Sequence, residues 1–258
     1  MQVISAEDAG VRTVAMGGDI GSQKVRDYFG RIHNVLPGPQ AYLVEHLDAG
    51  SSIYPHFHDI DQFQVFMGGD GSIGKHEACA VTAHYADGYS PYGPIFARKA
   101  GLAYFTLRLA AATGGWRMPG NRHLMPGRAG RTFSVRFEDH ADPAPRGEVI
   151  RRSLWGPAED GLEVIGMRLG PDASASGVVP AGGQYVIVCS GALLEDGRQL
   201  GANSLLFFGT GEPAPVFEAG PEGVALLVMQ YPRPSARPGS DPAAQTGKPS
   251  AYALRNEK

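Results

Sequence analysis

The stretch LDAGSSIYPHFHDIDQFQVFMGG, residues 47–69, carries the clearest pattern of strands and turns in this chain. Its second half, residues 62–67, is an aromatic and aliphatic run that two glycines close, which is typical of a short β-strand. Ahead of that run stand His56 and His58, separated from it by the turn-forming sequence Asp-Ile-Asp. The stretch therefore predicts two extended segments joined by a tight turn, with polar side chains where the segments meet.

A second stretch, LGPDASASGVVPAGGQYVIVCSG at residues 169–191, repeats this organisation. Aligning the two places Gln62 on Gln184 and Gly69 on Gly191. In both, an apolar strand ends in a turn, a variable loop follows, and an aromatic-aliphatic strand closes with glycine. Such a repeat predicts two copies of one β unit, over residues 35–110 and 151–232.

Period-two alternation predicts further strands over residues 41–47, 102–108, 162–169, 204–208 and 224–230. The chain holds 36 glycines and 20 prolines, which favour many short strands joined by turns. The pattern indicates an all-β antiparallel sandwich or barrel. Residues 21–30 are the one stretch that we expect to form a short helix.

Composition excludes several classes of function. In 258 residues, 23 Lys and Arg against 26 Asp and Glu give a net charge of −3, so no basic face for nucleic acid is expected. The longest apolar runs are far shorter than the roughly 20 residues of a membrane span. The acidic N-terminus lacks the apolar region of a signal peptide, which predicts a cytoplasmic protein. Cys79 and Cys189 form no CxxC pair, which excludes a disulfide scaffold and a zinc ribbon.

The histidines carry the chemistry of the first repeat. On a strand, His56 and His58 point their imidazoles to the same face, and the following turn returns Gln62 beside them. Two imidazole nitrogens and a carboxamide oxygen suit Fe, Ni, Mn or Zn. Three protein ligands leave positions open for a small-molecule substrate. We therefore predict one divalent metal ion per chain.

These residues resemble the first motif of the cupin superfamily. The matching positions are Gly50, Pro55, His56, His58, Gln62 and Gly69. The resemblance implies two tandem cupin barrels, that is, double-stranded β-helices of the jelly-roll type. Gln62 stands where the family usually has Glu, a variant similar to cupins that use His, His, Gln and a further His.

The second cupin motif matches only in part. Its turn is present at residues 87–93, but no histidine follows it. His84 lies before the turn and supplies the fourth ligand if its strand faces inward; otherwise it packs or points outward. His76, in a predicted loop, is the other candidate.

In the second repeat, Val178, Pro180 and Gln184 take the places of His56, His58 and Gln62. No histidine occurs after His140. The resemblance therefore implies a metal site in the first barrel and a degenerate second barrel without metal.

Three more side chains are candidates for work on the substrate. Gln64 shares a strand face with Gln62, and a buried glutamine needs a partner, which substrate, water or a metal-bound ligand can supply. Tyr54 and Tyr92 lie next to the two motifs in the sequence. For these tyrosines the alternative is packing in the barrel wall.

The remaining segments are predicted to be an N-terminal extension (residues 1–34), an inter-barrel segment (111–150) and a flexible tail (233–258). The inter-barrel segment is rich in glycine and contains six arginines, Arg117, Arg122, Arg128, Arg131, Arg136 and Arg146. It is either a solvated connector or a lid whose arginines hold an anionic substrate.

The resemblance implies a metal-dependent enzyme acting on an enediol, catechol, diketone or sugar acid, with a preference for a dioxygenase. Isomerase or lyase chemistry on a sugar-derived acid without redox change is the first alternative. A small-molecule-binding barrel without catalysis, and a structural protein with an incidental His-x-His, are the others. A homodimer is expected, because a second barrel without a site can supply an interface.

Overall fold

The computed structural model describes residues 1–32, 36–127, 130–142, 144–245 and 247–251. Its strands in chain order are β1 (Gln2–Ile4), β2 (Gly10–Gly17), β3 (Gly21–Phe29), β4 (Gln40–His46), β5 (Ser52–Ile53), β6 (His56–Phe57), β7 (Gln62–Ile73), β8 (His76–Glu77), β9 (Thr82–Ala86), β10 (Ile95–Arg108), β11 (Trp116–Arg117), β12 (Thr132–Arg136), β13 (Val149–Trp155), β14 (Glu163–Leu169), β15 (Ser174–Ser176), β16 (Gln184–Glu195), β17 (Arg198–Leu200), β18 (Leu205–Phe208) and β19 (Val216–Gln230). Helical structure in the described part is limited to the 3₁₀ turns η1 (Gly18–Ile20), η2 (Arg122–Leu124) and η3 (Pro242–Gln245). None of the described helices is long and apolar enough to cross a membrane.

The chain divides into two compact units. The first unit comprises residues 10–135 and 234–258, and the second comprises residues 1–9 and 136–233. These ranges differ from those expected from the sequence, because residues 1–34 are not a separate extension: β2 and β3 widen the sheet of the first unit, and β1 pairs with β18 in the second. The expected boundary between residues 34 and 35 lies outside the described residues.

The sheets of the two units share the order of five strands, β9-β7-β10-β4-β3 in the first and β18-β16-β19-β14-β13 in the second. In the first unit the order is β12-β9-β7-β10-β4-β3-β2, and in the second it is β1-β18-β16-β19-β14-β13. Short strands are added at equivalent places: β5 pairs with β10 as β15 does with β19, and β8 pairs with β7 as β17 does with β16. The fold is all-β and consists of two jelly-roll barrels.

The pairing register fixes which residues of the two units are equivalent. Gln62 lies opposite Ala86 on one side and Arg108 on the other. Gln184 lies opposite Phe208 and Gln230 in the same way. The alignment of Gln62 with Gln184 that the repeat predicts is therefore the alignment of the strands.

The helix expected over residues 21–30 is wrong. This stretch is β3, which pairs along its length with both β2 and β4. The reason is non-local: two neighbouring strands satisfy its backbone hydrogen bonds, and its alternate residues Gln23 and Val25 are buried.

The stretch expected to be a flexible tail packs on the first unit in its described part. Arg237 donates to both carboxylate oxygens of Asp61, and the Asp61 amide donates to the carbonyl of Gly239 at 3.0 Å. Farther along, the Ala251 amide donates to the carbonyl of Thr113 at 2.8 Å. Residues 246 and 252–258 of the expected tail lie outside the described residues.

Candidate metal centre

The two histidines of the His-x-His sequence stand at one end of the first unit, on β6 and just after it. Strand β6 pairs with β11, which places Arg117 opposite His56. On its other side His56 exchanges two backbone hydrogen bonds with Tyr92, at 3.1 and 3.0 Å. The imidazoles of His56 and His58 are 5.1 Å apart between ring centroids. The pair thus faces one side, as the spacing predicts.

His84 lies inside the first unit, on β9, opposite Gln64 on β7. Both side chains are buried. His84 Nε2 and Gln64 Oε1 are buried atoms without a hydrogen-bond partner in the described part of the chain. His76, the other histidine considered as a fourth ligand, is exposed on β8.

Each of these three imidazoles is held through its Nδ1 atom. His56 Nδ1 lies 2.8 Å from the carbonyl oxygen of Tyr54, and His58 Nδ1 lies 2.6 Å from that of Gly114. His84 Nδ1 lies 2.9 Å from the hydroxyl of Ser134. Because a carbonyl only accepts, His56 and His58 carry their proton on Nδ1 and a lone pair on Nε2 when neutral. This anchoring of the far nitrogen is the arrangement usual for metal-binding histidines.

Burial keeps the imidazoles of His56 and His84 neutral. It lowers the pKa of His56 to about 4, and the charges of Arg108 and Arg117 act in the same direction. Burial likewise lowers the pKa of His84 to about 4. At neutral pH both rings are therefore uncharged, and each keeps one nitrogen lone pair that a metal ion can bind.

Gln62 is held by an arginine that the sequence analysis did not consider. Arg108, on β10, donates from Nε to Gln62 Oε1 at 3.0 Å. The same guanidinium donates to Gln40 Oε1 at 2.7 Å and to the Tyr42 hydroxyl at 3.1 Å. Because arginine only donates, this contact fixes the orientation of the Gln62 amide and leaves Nε2 on its other side. The Gln62 Nε2 atom is buried and makes no hydrogen bond of ordinary length to the described residues, and the Gln62 amide opposes the rise that burial causes in the pKa of Tyr92.

Tyr92 stands among the three histidines. Its ring centroid lies 4.6 Å from that of His56, 5.7 Å from that of His84 and 6.4 Å from that of His58. Its hydroxyl lies 2.8 Å from His56 Nε2, and since that nitrogen carries a lone pair, the phenol donates. Burial raises the pKa of Tyr92, and the charge of Arg108 opposes this shift in part. The phenol therefore keeps its proton at neutral pH.

The donor chemistry of this cluster fits a divalent first-row metal. His56, His58 and His84 offer neutral imidazole nitrogens, and the unsatisfied Nε2 of buried His84 calls for a partner. The Gln62 oxygen retains one lone pair beside its bond from Arg108. No group of three His, Cys, Asp or Glu side chains among the described residues surrounds one metal position. The Nε2 atom of His56 accepts from the Tyr92 phenol instead.

Tyr54 is set apart from the cluster. Its side chain is 43% exposed, and its hydroxyl donates to Asp19. The guanidinium of Arg117 lies 5.3 Å from the centre of its ring. Tyr54 contributes to the cluster through its backbone carbonyl, which holds His56.

The arginines of the segment 111–150 do not act as one group. Arg117 lies beside His56, whereas Arg131 pairs with Asp87 in the first unit and Arg146 with Asp172 in the second. Arg128 lies outside the described residues. Of the described arginines in this segment, Arg117 is the one whose charge acts on His56.

Arg108 was missed, although the sequence carried a signal for it. Strand alternation over residues 102–108 places Leu102, Tyr104, Thr106 and Arg108 on one face, and a charge on a face that also carries Leu and Tyr is unusual. The structure buries all four inside the first unit.

The second unit shows what the same inward positions contain where the barrel is only packed. Its inward side chains form an apolar cluster that includes Ile165, Val186, Leu206 and Leu226. In the shared register these four replace Tyr42, Gln64, His84 and Tyr104, and Gln230 replaces Arg108. The fold therefore does not require the polar lining of the first unit.

No known family model matches the chain, and no curated protein matches its sequence. Solved structures do match its fold. A candidate dioxygenase from Nostoc punctiforme superimposes with a TM-score of 0.60 at 9% identity, covering 88% of this chain and 81% of the other.

Two further structures show the same likeness. Oxalate decarboxylase from Bacillus subtilis, studied for its Mn(II) centres, matches with a TM-score of 0.56 at 11% identity, covering 88% of this chain and 76% of the other. The bacterial pirin from Escherichia coli, in complex with nickel(II), matches with a TM-score of 0.55 at 13% identity, covering 90% and 99%. At these identities the likeness establishes the fold, which is that of cupin proteins.

Proposed function

We propose that this chain is a metal-dependent enzyme of the cupin fold that acts on a small, oxygen-rich, anionic metabolite. The metal ligands are His56, His58 and His84, with Gln62 through its remaining lone pair. The observation that carries the proposal is the anchoring of all three imidazoles through Nδ1, with all three rings lying around the ring of Tyr92. A barrel whose interior is only packed does not need anchored imidazoles, since the interior of the second unit is an apolar cluster.

The side chains around the ligands have distinct tasks in this proposal. A divalent metal bound there would act as a Lewis acid toward an enediol, catechol, diketone or hydroxy acid, and iron would add oxygen chemistry. Tyr92 holds a proton on its hydroxyl, which it now donates to His56 and can donate to a substrate oxygen once that nitrogen is engaged. Arg108 and Arg117 favour a negatively charged substrate, and Gln64 offers an unsatisfied amide oxygen. Tyr54, at the surface beside Arg117, is proposed to line the entrance.

Dioxygenase chemistry is the first reaction class within this proposal. Gln62 in place of a glutamate leaves the ligand set neutral, so a bound metal keeps its full charge for an enolate or catecholate. Isomerase or lyase chemistry on a sugar-derived acid uses the same property without a redox change. Tyr92 suits the isomerase or lyase class, because its protonated hydroxyl can return a proton to a carbon or oxygen of the substrate.

Metal content tests the ligand assignment. We expect about one equivalent of metal per chain after reconstitution with Fe(II), Mn(II), Ni(II) or Zn(II), measured by elemental mass spectrometry. His58→Ala and His84→Ala should each lower metal affinity at least about tenfold. His76→Ala, which removes an exposed histidine of the same unit, is the matched control and should bind as the wild type does. Equal metal content in all three variants would show that the ligands lie elsewhere.

The reaction class is tested on the reconstituted protein. Oxygen consumption with catechols, enediols and diketones, dependent on iron and lost in His58→Ala, supports a dioxygenase. Turnover of uronates or other sugar acids without oxygen uptake, supported by Mn, Ni or Zn, supports the isomerase or lyase. A protein that binds metal and ligand without turnover would be the non-catalytic binding barrel.

A further inference from the structure

Arg108 is buried and charged, whereas a neutral residue occupies the equivalent position of the second unit. Its side chain reaches Gln62, Gln40 and Tyr42 inside the first unit. In the second unit the equivalent residue is Gln230, and Gln184 Nε2 donates to Gln230 Oε1 at 3.1 Å. The same strand pair is thus held in the second unit by two amides. Because burying a charge is costly, a guanidinium at this position indicates a use beyond joining the strands.

The surroundings of Arg108 contain polar atoms that no described residue satisfies. Gln62 Nε2, on the amide whose oxygen Arg108 holds, is a buried donor without a hydrogen-bond partner. His84 Nε2 and Gln64 Oε1 are unsatisfied in the same interior. The positive charge of Arg108 also acts on the cluster. Burial lowers the pKa of His56 and Arg108 adds to that shift, whereas burial raises the pKa of Tyr92 and Arg108 opposes that rise.

We propose that Arg108 and the Gln62 amide form a subsite for a carboxylate of the ligand, within the interior that the three histidines line. The guanidinium supplies the charge and Gln62 Nε2 a hydrogen bond, which together match the two oxygens of a carboxylate. This subsite rests on the proposed function for its position beside the metal ligands, and it defines the substrate as a carboxylic acid. Its binding chemistry is independent of the metal.

The test is ligand binding by isothermal titration calorimetry on metal-free and on metal-loaded protein. Acetate and oxalate are the probes, and acetamide is the neutral isostere. We expect both carboxylates to bind and acetamide to bind at least about tenfold more weakly. Arg108→Gln, which reproduces the amide pair of the second unit, should fold and weaken carboxylate binding by a similar factor. Arg98→Gln is the matched control, because it removes one positive charge from the same strand, where Arg98 pairs with Asp70 and Glu77.

A second variant keeps the test decisive if Arg108→Gln fails to fold. Gln62→Glu places a carboxylate against Arg108 from within, so it should also weaken carboxylate binding at least about tenfold in the metal-free protein. Carboxylate binding that stays at wild-type strength in either folded variant overturns the subsite. If the wild-type protein binds carboxylates through Arg108 but binds no metal or turns over no substrate, the proposed enzyme is refuted and the subsite is retained.

Discussion

At the scale of single residues, the first unit carries polar side chains where its repeat carries apolar ones. His84 and Gln64 correspond to Leu206 and Val186, and each leaves a buried atom unsatisfied. A buried polar atom without a partner costs free energy, whereas an apolar side chain of similar size at that place adds contacts. In the proposed function, metal or substrate binding compensates for this cost.

We predict that His84→Leu stabilises the metal-free protein by about 1 kcal/mol, because it removes the unsatisfied Nε2 atom and copies the second unit. The measurement is urea unfolding of the metal-free form. Leu206→His is the reciprocal variant, and it should destabilise by roughly 3 kcal/mol by placing an unpartnered imidazole in an apolar core. If His84→Leu instead destabilises as much as Leu206→His does, His84 is a structural residue.

At the scale of elements, the segment after β19 secures the loops that carry the site. Arg237 contacts Asp61, which lies between His58 and Gln62, and Asp87, which precedes the turn of Tyr92. The Tyr85 hydroxyl lies between the same two carboxylates, 3.0 Å from Asp61 and 2.8 Å from Asp87, and its one proton is shared between them. Burial raises the pKa of Asp61, and Arg237 counteracts that rise. One residue near the C-terminus thus joins the two stretches that the cupin resemblance identifies.

Arg237→Gln should therefore lower the free energy of unfolding by about 3 kcal/mol, since it leaves the buried Asp61 carboxylate without its cation, whereas Asp87 keeps Arg131. Urea unfolding measures the loss. Arg146→Gln is the control, because Arg146 and Asp172 form an exposed ion pair that is worth less than about 1 kcal/mol. The double variant Asp61→Asn with Arg237→Gln should recover part of the stability. Equal losses of unfolding free energy for Arg237→Gln and Arg146→Gln would show that Arg237 does not stabilise the loops around Asp61 and Asp87.

At the scale of the whole molecule, two units of one topology have separate interiors with different chemistry. Aliphatic and aromatic side chains fill the interior of the second unit. The interior of the first unit combines an apolar cluster with the histidines, Gln64 and Arg108. A ligand of the first interior stabilises the unit that contains its binding residues, by an amount that concentration and affinity set. The homodimer expected from the spare barrel stays a prediction.

We predict that saturating metal slows amide hydrogen exchange in residues 10–135 and leaves residues 136–233 nearly unchanged. At a metal concentration about 100 times the dissociation constant, the slowing should reach about a hundredfold for amides that exchange through opening of the whole first unit. Hydrogen exchange with mass spectrometry measures this, and the His58→Ala protein in the same metal solution is the control. Protection that rises equally in both ranges would place the binding residues outside the first unit alone.

Local and periodic features could be predicted from the sequence. Alternation predicted the strands that include β7, β10, β16 and β19, because the period of two follows directly from strand geometry. The repeat predicted that Gln62 and Gln184 are equivalent, since one pattern builds one topology twice. The spacing of His56 and His58 predicted their common face. A helix over residues 21–30 was wrong, because pairing with distant strands overrode local preference.

Tertiary structure alone decided which distant residues join the histidines. Arg108 reaches Gln62 from 46 positions away, and Arg237 reaches Asp61 from 176 positions away. The spacing of residues along the sequence predicts neither contact, because strand register and the path of the last segment create them. The same register turned His84 inward and brought the Tyr92 phenol to His56. Side-chain direction repeats along a strand, but the partner across the barrel is set by which strands pair.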